Sequence, residues 1–151
     1  MNIYLHLPKY LRQWVLHDFG DAEGVVRFPR GSAEHDVLSH TLTTQPKNAK
    51  PQLPDEESVA IELPELKYKP LPFYCYLTER ARKMLAQVIL IRFRIMLWHD
   101  LHDLDKLQCS ITDVIYDWME RHGIDDDPTS WETIRQTYFR QRKKYCQENK
   151  S

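Results

Sequence analysis

The stretch ERARKMLAQVILIRFRIMLWHDL, Glu79 to about Leu101, constrains the fold of this chain more than any other. Thr78 before it is a good N-cap, and from Val88 to Trp98 its apolar residues cover nearly every angle of a helical wheel. A helix that is apolar all round needs cover on all sides, so this one is expected to be central and largely buried. Arg92 and Arg94 interrupt it, and the apolar run from Met84 to Trp98 is too short to span a bilayer. Each arginine, if buried, needs a carboxylate or a route to solvent. Pairing with acids elsewhere in the chain is the simpler resolution.

The residues before this helix read as a small sheet with helices. NIYLHL, Asn2 to Leu7, alternates as a strand does, and Pro8 then opens a helical stretch, KYLRQWVLHDF, that stops at Gly20. VVRF, Val25 to Phe28, is a second short strand, after which Ser32 can cap a helix through AEHDVLSHTL. A polar, proline-bearing connection, about 43–58, is expected to be exposed and mobile. VAIEL, Val59 to Leu63, is a third strand, and Pro70 and Pro72 keep the next segment extended.

Beyond the long helix, Ser110 can cap a helix whose residues Ile111, Val114, Ile115, Trp118, Met119 and His122 share one face. Gly123 ends it, and Pro128 sits near the start of a last helix running to about Tyr145, with Asp127 or Thr129 as candidate caps. The fold class is therefore α+β: a small N-terminal three-stranded sheet with helices, a long buried central helix, and a C-terminal helix, turn and helix. The chain divides on this reading into a region 1–77 and a helical region 78–151.

At 151 residues and a net charge of −1, the chain has room for one proper core and no global field favouring anions. The charge is nevertheless unevenly distributed. Asp100 to Asp127 carries nine acids against Lys106 and Arg121, whereas Glu132 to Lys144 carries five bases against one acid. In the last helix Trp131, Ile134, Tyr138 and Tyr145 form a packed face. The opposite face holds Thr133, Gln136, Thr137, Arg140, Lys143 and Lys144, with no acid among them. Each of these can donate a hydrogen bond to a phosphate or a base edge. The helix dipole accounts for acids at its start and bases at its end. It does not account for an outward face without acids.

TIRQTYFRQRKKY resembles the recognition helix of the helix-turn-helix class, in particular the type found in sigma-factor and response-regulator-like domains, and ITDVIYDWMERHGI resembles the supporting helix with its glycine turn. The likeness covers about 110–146. It implies that the last helix enters a major groove, with Thr133, Gln136, Thr137 and Arg140 at reading positions and Arg142, Lys143 and Lys144 on phosphates. The connection from Gly123 to Pro128 is longer than the usual tight turn, and Asp125, Asp126 and Asp127 would repel phosphate unless they point away or cap the helix.

Other chemistries have less to stand on. His99 and His102, with Asp100, Asp103, Asp105 and Cys109 nearby, have a spacing that could hold a metal ion, but no second ligand pair follows and no metal is expected. No GxSxG, P-loop, GxGxxG or HExxH motif occurs, so neither an enzyme nor a cofactor is expected. His17 with Asp18 and His35 with Asp36 are only sequence neighbours. Tyr4, Tyr10, Trp14 and Phe28 interleave with Lys9, Arg12, Arg27 and Arg30, a pattern read as core. Three cysteines without metal spacing and no secretory signal suggest a reduced, cytoplasmic protein.

The expected function is double-stranded DNA binding without catalysis, by a small bacterial or phage or mobile-element regulator that dimerises through its N-terminal half and has no membrane association. The alternative is a protein-interaction module whose basic last helix docks on an acidic partner.

Overall fold

The computed structural model describes residues 1–50, 52–103 and 110–148. It is α+β, with three strands and five helices in these residues: β1 (Asn2–His6), α1 (Lys9–Phe19), β2 (Val25–Val26), α2 (Ala33–Thr41), β3 (Ser58–Glu62), α3 (Glu79–Leu101), α4 (Ile111–Arg121) and α5 (Pro128–Glu148). Two compact units are formed, Met1–Ile89 and Leu90–Ser151.

In the first unit the strand order is β1-β3-β2, so the last strand of the sequence lies in the middle of the sheet. β3 is antiparallel to β1 and parallel to β2, with Ile3 opposite Ile61 and Leu5 opposite Val59. These four side chains, each no more than 4% exposed, follow from the period-two alternation of both sequences. Leu11, Trp14 and Val15 of α1 and Leu38 of α2 complete this core. Trp14 is thus core, as its pattern suggested, and Arg27 is taken up by Asp21 at 2.8 Å and by Glu62. Gly20 is required by close packing at the end of α1, since a Cβ there would lie 2.3 Å from the Leu16 carbonyl oxygen.

The connection between α2 and β3 is exposed, as its composition suggested, but it is also tethered to β1. Gln52 Oε1 accepts from the Tyr4 amide at 3.3 Å, and Gln52 Nε2 donates to the Tyr4 carbonyl. Arg82 of α3 donates to both, at 2.8 Å to the Tyr4 carbonyl and at 2.7 Å to Gln52 Oε1. His6, two residues further along β1, and Asp55 approach to 2.7 Å. A side-chain amide therefore occupies the hydrogen-bonding edge of β1 that a further strand would otherwise take.

The Thr78 hydroxyl accepts from the Ala81 amide at 3.1 Å, which caps α3 as its sequence suggested. Burial along α3 is narrower than its all-round apolar wheel implied. Ala81, Leu85, Ile89, Phe93, Leu97 and Leu101 are fully buried at four-residue spacing. Met84, Ile91 and Ile95 on the other side are 46%, 44% and 60% exposed. Apolar content shows which residues could be buried, but the number of neighbouring elements decides how many are.

In the second unit Phe93 meets the Trp118 ring edge-on at 5.6 Å, and Trp98 contacts the rings of Tyr138 and Tyr145 at 6.0 and 5.4 Å. Ile115, Trp118 and Met119 of α4 and Ile134 and Tyr138 of α5 are buried, while Tyr145 at the end of the same α5 stripe is 52% exposed. Tyr116 stacks on Trp131 at 5.5 Å, which holds α4 to the start of α5.

Candidate nucleic-acid interface

The turn between α4 and α5 is built from two capping motifs. Gly123 adopts φ +70°, a left-handed conformation that costs glycine little. Its amide donates to the Glu120 carbonyl at 3.3 Å, and the Ile124 amide donates to the Met119 carbonyl at 2.9 Å. This pair of bonds is a Schellman closure of α4, with Ile124 buried behind it. Asp127 then caps α5: its carboxylate accepts from the Ser130 amide at 2.8 Å and from the Ser130 hydroxyl at 3.0 Å. Of the two candidate caps, Asp127 makes these bonds.

One of the three aspartates is therefore committed to the helix start. The other two, Asp125 and Asp126, are exposed and line a depression of about 590 Å³ together with Asp113, Asp117 and Glu120 of α4. None of these residues belongs to the basic surface described next.

That surface is a groove of about 440 Å³ between α3 and α5 in the second unit. Arg94 lines one side, and Thr137, Arg140, Lys143 and Lys144 line the other. Among the described residues, no carboxylate pairs with Arg94, Arg140, Lys143 or Lys144. The expectation that Arg94 is neutralised by an acid is thus corrected. Position 94 is only half-buried and opens on the groove, so solvent and the free space beside α5 take the place of a carboxylate. A helical wheel gives the angle of Arg94 on α3 but not which helix faces that angle. Its isolation among apolar neighbours was the available signal.

Arg140 and Lys143 also border a shallower depression with Arg135, Gln136 and Phe139 on the far side. They stand as a ridge with a recess on each flank. Arg135 is engaged differently from the groove cations. Its guanidinium lies 5.1 Å from the Phe139 ring centre and 3.5 Å from Glu132.

The other residues expected to bind are less free. Thr133 and Thr137 donate their hydroxyl hydrogens to the carbonyls of Thr129 and Thr133 at 3.0 and 2.8 Å, which leaves their oxygens only as acceptors. Gln136 is exposed, its amide 3.2 Å from Glu132. Arg142 is half-buried and does not line the groove. The structure thus gathers Thr137, Arg140, Lys143 and Lys144, adds Arg94, sets Gln136 beside them, and leaves Thr133 and Arg142 outside.

The histidine cluster at the end of α3 has a local explanation. His102 Nδ1 lies 3.1 and 3.0 Å from the carbonyl oxygens of Trp98 and His99, a geometry that suits donation to the helix end. His99 sits 3.3 Å from Asp100, and the two imidazoles are 6.4 Å apart. Asp105 and Cys109 lie outside the described residues. His17 and Asp18 hydrogen-bond at 2.9 Å, at an exposed position. Among the described residues, no helix is long and apolar enough to cross a membrane.

No protein-family model, curated protein or solved structure matches the chain.

Proposed function

We propose that the chain is a non-enzymatic, cytoplasmic double-stranded DNA-binding protein that presents α5 to the duplex in the manner of the helix-turn-helix class, as a small regulator of bacterial or phage or mobile-element type. The observation that carries this reading is the groove in which Arg94, Arg140, Lys143 and Lys144 stand without a carboxylate partner among the described residues. Four cations held close together repel one another, and the arrangement is relieved by a polyanion. A phosphate backbone supplies evenly spaced charges that release condensed counterions on binding.

In this reading Arg94, Lys143 and Lys144 hold phosphates. Arg140 and Gln136, exposed on successive turns of α5, are the side chains free to reach base edges. Guanine would suit Arg140 and adenine would suit Gln136. Thr137 contributes an acceptor oxygen and small size. The aspartates, the main objection from sequence, count less once Asp127 is engaged at the helix start and Asp125 and Asp126 border a separate depression. A second copy joined through the N-terminal half would provide a second half-site, and no cofactor is needed.

Gel-shift titration of the full chain on a random-sequence duplex pool, followed by selection, tests the proposal. The double substitution Arg140→Glu with Lys144→Glu should abolish the shift with an unchanged circular dichroism spectrum. Undiminished binding by that variant would remove α5 from the interface.

A further inference from the structure

The second unit carries its charges in two separate patches of opposite sign. Besides the basic groove, the outer face of α4 and the following turn form the acidic depression lined by Asp113, Asp117, Glu120, Asp125 and Asp126. Asp117 bonds Arg121 at 3.0 Å, whereas Asp113, Glu120 and Asp126 have no ion-pair partner among the described residues. Tyr116, 37% exposed, supplies apolar surface within it.

We propose that this acidic face of α4 docks the basic α5 face of a second copy, so that the chain associates head to tail and occludes its own nucleic-acid groove. The proposal rests on the basic groove being an anion-binding face. Three observations favour a second copy as the occupant. The patches are complementary in sign, one lined by Arg94, Arg140, Lys143 and Lys144 and the other by five carboxylates. They share no residue, so one chain can use both at once. The whole chain has a net charge of −1, so little overall repulsion keeps two copies apart.

The same charges disfavour a symmetric pairing through either patch. Two basic faces repel, as do two acidic ones, and the heterologous contact remains. Such a contact leaves one free groove and one free acidic face at the ends, so it extends into chains or closes into rings. Duplex DNA and the acidic face then compete for one groove, and each weakens the other by linkage.

Sedimentation velocity of the full chain at low and high salt provides the test. Concentration-dependent species are expected in dilute buffer and should dissolve by about 0.5 M salt, where screening reaches only a few ångströms. A chain that stays monomeric in dilute buffer, or associates equally at both salts, overturns the proposal. Asp113→Lys with Glu120→Lys should weaken association at least about tenfold while duplex binding stays the same or tightens. The milder Asp113→Asn with Glu120→Gln should act in the same direction.

Arg140→Glu with Lys144→Glu should lose both association and the gel shift. An equimolar mixture of the two charge-reversed variants should associate again, because each offers a complement to the other. Parental association by the α4 variants, or a mixture that stays monomeric, overturns head-to-tail docking. Salt-sensitive association and restored mixing with no duplex binding by any form would instead overturn the DNA reading and leave the docking intact.

Discussion

The Trp118 indole donates its Nε1 hydrogen to the Asp100 carboxylate at 2.9 Å, joining the fully buried ring of α4 to the end of α3. His122 approaches the same carboxylate oxygen at 3.7 Å. Burial by itself would raise the Asp100 pKa. The hydrogen bonds from Trp118 and His99 and the nearby charge of His122 outweigh it and hold the carboxyl below its ordinary value of 3.8. A carboxyl depressed in the folded state contributes stability that is present above that ordinary value and is lost as pH falls through the folded pKa. Asp100→Asn should therefore cost about 1 kcal/mol at pH 7 and unfold with a weaker acid dependence than the parent. Urea melts at pH 7 and pH 3 make the comparison, and equal acid sensitivity of the two proteins would contradict the assignment.

The turn between α4 and α5 should respond to both of its capping residues. Gly123→Ala forces a Cβ into the left-handed conformation at φ +70° and should cost about 1 kcal/mol. Asp127→Ala removes the acceptor for the Ser130 amide and hydroxyl and should cost about 1 kcal/mol as well. Urea denaturation checks both. Thr129→Ala serves as the control and should change stability by less than either, because Asp127 rather than Thr129 makes the capping bonds.

Much of this was legible in the sequence, for local reasons. The alternation in NIYLH and SVAIE predicts both strands and their buried faces, because the period of two needs no distant information. Thr78, Ser32 and Asp127 mark helix starts because a cap bonds an amide a few residues away. The position of β3 between β1 and β2 could not be read in this way, since its register depends on residues distant in sequence. The exposure of Ile91 and Ile95 and the opening of Arg94 onto the α5 groove share that cause. Each depends on which element packs beside a given angle of α3. The acid-free face of α5 was visible, but the backbone bonds that occupy the Thr133 and Thr137 hydroxyls were not.

Arg94 offers a test that leaves α5 untouched. Arg94→Gln should weaken duplex binding about uniformly across sequences and reduce the salt slope of log K by about 1, as expected for the loss of one phosphate contact. Arg140→Gln should also weaken binding, but should relax sequence preference at one position of a selected site. Fluorescence anisotropy at several salt concentrations separates the two behaviours. An unchanged salt slope for the Arg94 variant would place that residue outside the DNA contact.

Gln52 should matter more than its place in an exposed connection suggests. Gln52→Leu removes the acceptor for the Tyr4 amide and one of the two bonds described for the Arg82 guanidinium. A loss of about 1 kcal/mol is expected. Hydrogen exchange gives a sharper readout: the Tyr4 amide should exchange faster in the variant, while the Ile3 and Leu5 amides change little. Equal protection of Tyr4 in both proteins would show that Gln52 does not hold the edge.

The central place of β3 has a consequence for how the chain comes into being. Both outer strands pair with β3. While the chain emerges from the ribosome N-terminus first, β1 and β2 lack the strand with which both pair until residues 58–62 follow. The connection that ends in Gln52 and Asp55 is made just before the strand that completes the sheet. Gln52 arrives in time to engage the backbone of β1, and Asp55 its His6 side chain, as β3 enters beside it, so the same short segment that delivers the missing strand also closes the edge against a stranger's.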